Sequence, residues 1–387
     1  MTDTLMARLE GFYREELQLT GPVPLHAPTF GGREMAYVGE CIETTWVSTV
    51  GAFVTQLERA VAAISGCLHG VAVVNGTSGL YLALYALGVR AGDLVLCPAL
   101  TFVGTANAIA MTGAEPLFLD ADLDSLGVST ERLAAFLARE GEIRAGVCFH
   151  RASGRRIAAV VPVHIFGHPV DFTPLAAVAD EWRLPIVEDA AESLGSRYRD
   201  RPCGSLGRVA ALSFNGNKLV TTGGGGMLVT NDGDLAHRLK HLSTTARVAH
   251  AWEFDHDEIG FNSRLPNLNA ALGCAQMERL DAMLAAKRRL AERYERLVEG
   301  IAGVRFFREQ PWAESNYWLN ALILSDRAAR DRFLEQSNSR AIQSRPCWRL
   351  LPDTGAWRHA MVADDLSTAR WIVDRLVNIP SSPSLAS

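Results

Sequence analysis

The sequence runs to 387 residues, of which 48% are hydrophobic and 21% charged, with a formal net charge of -5. That length allows a substantial core and two domains, and the composition is that of an ordinary globular protein. The negative balance, with no basic run interleaved with aromatics, argues against nucleic acid or anionic membrane as a partner.

In chain order, the opening MTDTLMARLEGFYREELQ mixes acids and bases without an uninterrupted apolar region, so residues 1–24 predict a helical arm rather than a secretory signal. No apolar run reaches the ~18 residues of a membrane span. Seven cysteines, at 41, 67, 97, 148, 203, 274 and 347, include no CxxC pair. That scatter argues against a disulfide framework or zinc ribbon and predicts a reducing, cytoplasmic setting. No HExxH or comparable His/Cys cluster suggests a metal.

From residue 70 to 230 short apolar runs alternate with helix-like segments, the pattern of an α/β domain with a mostly parallel sheet, placed at 25–258. Seven strands are expected, at 71–74, 94–100, 116–120, 157–164, 184–189, 209–214 and 227–230, making one large seven-stranded sheet. Helices are expected in SGLYLALYALG, TERLAAFLARE and FTPLAAVADEWR, from apolar residues at three- and four-residue spacing. Near residue 260 the texture changes. NLNAALGCAQMERLDAMLAAKRRLAERYERLVEG predicts a long helix, or two in succession. YWLNALIL then predicts a strand and RAARDRFLEQ a helix, so 259–387 is expected to be a linking helix and a smaller C-terminal α+β domain.

Ligands of open parallel sheets gather at the carboxyl ends of the strands. After the strand at 71–74 comes NGTSG, containing Gly76, Thr77 and Ser78. Its N–H groups and hydroxyls suit a phosphate at a helix N-terminus, although the same residues also serve as a plain turn and cap. Phe102, after LVLCPAL, would stack on a flat ring or fill the core. LPIVED ends in Asp189, which would cap the next element or, beside a pyridine ring, keep the ring nitrogen protonated. Lys218, in SFNGNKLVTTGGGG, is the only charged residue between Arg208 and Asp232. A loop lysine is ordinarily solvated; one between buried strands is often a nucleophilic amine. A phosphate turn, a ring stacker, an aspartate and a lysine at strand ends together describe a pyridoxal phosphate site. The P-loop and dinucleotide spacings are absent.

With these residues assembled, the sequence resembles the DegT/DnrJ/EryC1/StrS family of pyridoxal phosphate-dependent sugar aminotransferases. The resemblance runs through TTWVSTVG, VNGTSGLYLAL, PALTFVGTANAI, VPVHIFGHPVD, EDAAESLGS, SFNGNKLVTTGGGGM, GFNSRLPNLNAALGCAQ and SNYWLN. EDAAESLGS and SFNGNKLVTTGGGGM look most like the subgroup that aminates UDP-4-keto-6-deoxy-N-acetylglucosamine on the bacillosamine and legionaminic acid routes. The resemblance implies a fold-type I, aspartate aminotransferase-like transferase. Lys218 would bond to the cofactor's aldehyde and then act as general base, and Asp189 would pair with the ring nitrogen. Glu192 would stand beside the phenolic oxygen, where many relatives have glutamine. Gly76, Thr77, Ser78 and Ser213 would hold the phosphate and Phe102 would stack on the ring. Asn262 would reach the phosphate from a second subunit, with Arg264 nearby, which implies a homodimer with shared active sites. Trp46 and Trp318 would contact substrate, Trp318 where many relatives have histidine. The four glycines at 223–226 would leave room for the cofactor.

The implied reaction moves an amino group from L-glutamate to C4 of a nucleotide-linked 4-keto-6-deoxy sugar. A GDP-linked sugar of the perosamine type is the alternative acceptor. Dehydratases on this fold carry histidine in place of the lysine, so Lys218 argues for transamination. A non-catalytic sugar-binding protein would not need Asp189 and Lys218 together.

Overall fold

The computed structural model describes residues 1–386. All seven expected strands form: β1 (His69–Val73), β2 (Leu94–Pro98), β3 (Glu115–Leu119), β4 (Ile157–Val160), β5 (Val187–Asp189), β6 (Val209–Ser213) and β7 (Gly226–Thr230). They do not make the single ladder expected. Among the described residues they lie in two four-stranded sheets, one ordered β1–β7–β6–β5, the other a short strand Met361–Val362 followed by β3, β2 and β4. The sheets meet through isolated parallel bridges, Val160 to Ile186 and Val163 to Asp189. Prolines explain the seam: Pro162 and Pro185 cannot donate to a ladder, yet their carbonyls accept from Asp189 N (2.9 Å) and Val160 N (3.1 Å). β7 runs antiparallel to both neighbours, while β5–β6 and the β2, β3 and β4 pairings are parallel.

Successive strand residues point to opposite faces, and both faces here are covered. Ala211 and Leu228 join one apolar core, whereas Ala210, Leu212, Met227 and Val229 join another on the far side. Five helices matter below: α1 (Thr2–Gly11), α2 (Gly76–Ala86), α3 (Val103–Met111), α4 (Asn267–Met277) and α5 (Leu280–Val298). The smaller sheet is antiparallel, with β8 (Val304–Phe306), β9 (Asn320–Leu324), β11 (Leu376–Ile379) and β10 (Arg345–Pro346) in that spatial order.

The organisation departs from the sequence reading in three places. The N-terminal helix does not stand apart as an arm: Leu5, Met6 and Leu9 are buried in the same core as Leu290, Tyr294 and Phe333. A hydroxyl contact of 2.7 Å between Tyr13 and Tyr294 closes that seam. Burying three such side chains contributes about 1.5–3 kcal/mol each, more than a free helix of ten residues could supply for itself. The texture change near 260 also comes too early as a boundary, because Ala270, Ala271 and Cys274 of α4 pack with Phe53, Val54 and Leu57 beside the large sheet. The chain breaks at Glu278–Arg279, and α5 then enters the small core. Finally, the C-terminal region returns: Leu350, Leu351, Ala369 and Ile372 join the core of the large sheet.

Candidate active site

The carboxyl ends of β1, β2, β5 and β6 converge on a cavity of about 350 Å³. Gly76, Thr77, Phe102, Asp189, Glu192, Ser213, Lys218 and Trp318 all border it. Its upper wall is the start of α2. Asn75 caps that helix, its Oδ1 accepting the Ser78 N–H at 2.8 Å. The first-turn N–H groups of Gly76 and Thr77 have no partner within the helix, the usual setting for an anion. Ser213, at the end of β6, faces them: a methyl added to Gly76 would stand 3.0 Å from Ser213 Cβ. Ser78, expected beside the phosphate, is half-buried and does not border the cavity.

Asp189, 5% exposed, also borders the cavity. Its Oδ2 accepts from Thr105 Oγ1 at 2.7 Å and its Oδ1 from Ala191 N at 3.2 Å. Thr105 is itself 2.9 Å from the Thr101 hydroxyl. Burial pushes the Asp189 carboxyl above its ordinary range, while the Thr105 and Ala191 hydrogen bonds pull it down. A buried carboxylate facing a cavity is costly without a partner, and a ligand's N–H would supply one. Phe102 is 56% exposed, so it is a wall of the cavity rather than a core residue.

Lys218 reaches in from the loop after β6. Its side chain is 13% exposed, with Nζ 3.1 Å from Glu192 Oε1 and 3.5 Å from the centroid of the Trp318 ring. The amine is therefore not in the uncharged setting that the local sequence suggests; a carboxylate 26 residues away in sequence is folded against it. Burial raises the Glu192 carboxyl, offset mainly by the charge of Lys218, and its Oε2 accepts the Phe166 N–H at 2.8 Å. Trp318 is fixed by its indole N–H, which donates to Asn217 O at 2.7 Å.

The glycine run is not uniformly tight. A Cβ on Gly226 would lie 2.7 Å from the backbone carbon of Asn75, so the approach of β7 to the start of α2 demands glycine there. At Gly224 an added Cβ would meet nothing within 4 Å. Of the run, Gly224 and Gly225 border the cavity, whereas the crowding at Gly226 comes from the protein's own backbone.

Three singled-out residues lie elsewhere. Trp46 and Arg264 border a second cavity of about 690 Å³, where Asn267 holds the 46–53 loop by accepting from Phe53 N (3.1 Å) and donating to Trp46 O (2.7 Å). Asn262 is exposed and borders neither cavity. Sequence reasoning missed Thr105, Asn316 and Trp348. Thr105 had a signal, since it lies four residues after Thr101 at the start of α3 and so shares a face with it. Trp348, a further cavity residue, comes from the returning C-terminal segment and has none.

These residues fit pyridoxal phosphate: an anion site, a buried carboxylate, an aromatic wall and an amine all border one cavity. Residues 28–387 match the DegT/DnrJ/EryC1/StrS aminotransferase family. The chain is 32% identical over 369 residues to the GDP-perosamine synthase of Escherichia coli O157:H7, covering 94% of each. It is 34% identical over 367 residues to the GDP-perosamine synthase of Caulobacter vibrioides, again covering 94% of each. Among solved structures it is similar to the aminotransferase TlmJ from Streptoalloteichus hindustanus, with a TM-score of 0.84 and 29% identity over 93% of this chain and 94% of that one.

Proposed function

We propose that this chain, which belongs to the DegT/DnrJ/EryC1/StrS aminotransferase family and is a pyridoxal phosphate-dependent sugar aminotransferase, moves the amino group of L-glutamate to C4 of a nucleotide-linked 4-keto-6-deoxy sugar. The observation that carries the reading is the convergence of Lys218, Asp189 and the start of α2 on one cavity. When bound, pyridoxal phosphate supplies an aldehyde that exchanges amines and a ring that accepts an electron pair.

The chain's own residues supply the rest. The α2 N-terminus, Thr77 and Ser213 hold the phosphate, and Asp189 holds the ring N–H. Phe102 flanks the ring plane. Lys218 supplies the covalent anchor and, once released, moves a proton at the reacting carbon. Glu192, with its carboxyl raised by burial, would exchange a proton with Lys218 or with the cofactor's phenolic oxygen.

Two acceptors present the required C4 ketone. The GDP-linked sugar of the perosamine type has the support of two relatives aligned over 94% of the chain. The UDP-linked N-acetyl sugar has the support of EDAAESLGS and SFNGNKLVTTGGGGM. An absorbance titration separates them. L-glutamate should abolish the visible band of the purified, cofactor-loaded protein, and the true acceptor should restore it. Restoration by the GDP-linked sugar alone assigns the perosamine type, and restoration by the UDP-linked sugar alone assigns the other. Restoration by neither refutes the C4 ketosugar reading, and a pyridoxyl group trapped by borohydride on any lysine but Lys218 refutes the site.

The same proposal includes a homodimer that shares its sites. Trp46, Asn262 and Arg264 lie outside the cavity, and Trp252, Phe254 and Ile259 are each at least 75% exposed. A second copy would cover these exposed apolar side chains.

A further inference from the structure

The turn Ser315–Leu319 is far more heavily bonded than a connection between strands requires. Asn316, 1% exposed, donates through Nδ2 to Glu192 O and Leu194 O, both at 2.9 Å. Its Oδ1 accepts the Trp318 N–H at 2.8 Å, and its own N–H donates to Ser196 Oγ at 2.9 Å. Ser315 Oγ donates to Gly167 O at 3.0 Å, and Leu319 N–H to Phe166 O at 3.3 Å. Three residues at this junction have left-handed backbones: Phe166 (φ 56°), Gly167 (φ 96°) and Tyr317 (φ 47°). A Cβ on Gly167 would fall 1.9 Å from Asn316 Oδ1, so this close fit excludes every side chain at 167. Strain of this kind persists only where the surroundings over-determine it, and it gathers at functional sites.

The residues tied together are the two that flank the reacting amine. Glu192 contacts Lys218 Nζ on one side and Trp318 covers it on the other. One amide side chain thus joins a wall carried by the turn after β5 to a wall carried by the segment before β9. We propose that Asn316 is a positioning residue, whose amide sets Glu192 and Trp318 at the distances that hold the Lys218 amine between them. The inference rests on Lys218 being the reacting group, and extends that reading to how the amine is kept in place when it is not bonded to cofactor.

The test is competitive acetylation of the full-length, cofactor-stripped protein with acetic anhydride at neutral pH. Peptide mass spectrometry gives the labelling of Lys218 relative to Lys240, an exposed lysine in the same molecule that pairs with Glu58. Asn316→Ala and Trp318→Leu should each raise that ratio by about threefold to tenfold, the size of a lost cation–π contact. The double variant should rise no further than the larger single one, because both changes open the same wall. In the holoenzyme, Asn316→Ala should lower kcat by about tenfold to a hundredfold with the KM for L-glutamate little changed, as misplacement of a catalytic group does. Should Asn316→Ala fail to fold, Asn316→Asp is judged on the same ratio: it keeps the acceptor for Trp318 and loses both donated bonds. A wild-type ratio in the Asn316 variant, or a double variant equal to the product of the singles, overturns the proposal. Neither result depends on which sugar is the acceptor, and borohydride trapping tests Lys218 separately.

Discussion

Replacing Asp189 by asparagine keeps the shape of the side chain and removes its charge, which separates two consequences of burying that carboxylate. In the folded protein burial raises the carboxyl above its ordinary range, against the pull of Thr105 and Ala191. The folded chain therefore keeps this proton at pH values where the unfolded chain has lost it, and the group's contribution to stability falls as pH rises from about 4. Each pH unit within that window removes up to ~1.4 kcal/mol. For 387 residues at ~2.1 cal/mol/K per residue, the unfolding entropy converts 1 kcal/mol into about 1 °C. The Tm of cofactor-free Asp189→Asn minus that of the wild type should therefore grow with pH by about 1–2 °C per unit, then level off. Affinity should move the other way: a buried ion pair broken on one side costs about 3–5 kcal/mol, a loss of roughly a hundredfold to several thousandfold in pyridoxal phosphate binding. Scanning fluorimetry at stepped pH gives the first quantity and absorbance titration of the stripped protein the second. A Tm difference that is flat with pH, or equal cofactor affinities, would refute the reasoning.

Thr105→Val removes the hydroxyl donor to Asp189 at nearly constant volume; we expect cofactor affinity to fall by about 1.5–3 kcal/mol, read in the same titration. Gly226→Ala forces a methyl against the Asn75 backbone and should cost at least about 1–3 kcal/mol by denaturant melting. Gly224→Ala meets open space and should stay within about 0.5 kcal/mol of wild type. For the shared site, inactive Lys218→Ala and inactive Asn262→Ala proteins are unfolded together and refolded. If Asn262 acts on the partner's cofactor, one site of each mixed dimer is intact, and about a quarter of wild-type activity returns. No recovery on mixing would place Asn262 in its own subunit's site, and an active Asn262→Ala protein would place it outside catalysis.

The large sheet was legible because its strands are short apolar runs covered on both faces, each bounded by a turn, and that signal is local. What fails is everything set by tertiary pairing. The split into two ladders depends on Pro162 and Pro185 falling on the two sides of one seam, although the two prolines lie far apart in sequence. The docking of α1 onto α5 depends on Leu5, Met6 and Leu9 finding a core built mostly from residues beyond 280. The return of residues 347–373 to the large sheet leaves no change of composition that a reader of the chain could use.

The site divides in the same way. Asp189, Ser213 and Phe102 could be found because strand ends mark where ligands gather, and Gly76 and Thr77 because helix starts bind anions. Lys218 could be found from its isolation, but the isolation misled about its chemistry. A lysine without charged neighbours in sequence suggests an amine kept neutral by apolar surroundings; in the fold it lies between a carboxylate and an indole face. Bonding to an aldehyde strips the amine of its N–H protons as the imine forms, so Lys218 needs a group that takes a proton. Glu192, buried and within 3.1 Å, is the group placed to receive it. The proposed function thus gives the Lys218–Glu192 contact a part in the chemistry as well as in the packing. This makes a sharp demand on Glu192→Gln, which keeps the side chain's shape and removes the proton acceptor. It should fold with a Tm near wild type yet slow the covalent capture of added pyridoxal phosphate by about tenfold to a hundredfold, followed as growth of the visible band. Capture at the wild-type rate would make Glu192 a structural partner, and the proton would then have to leave by another route.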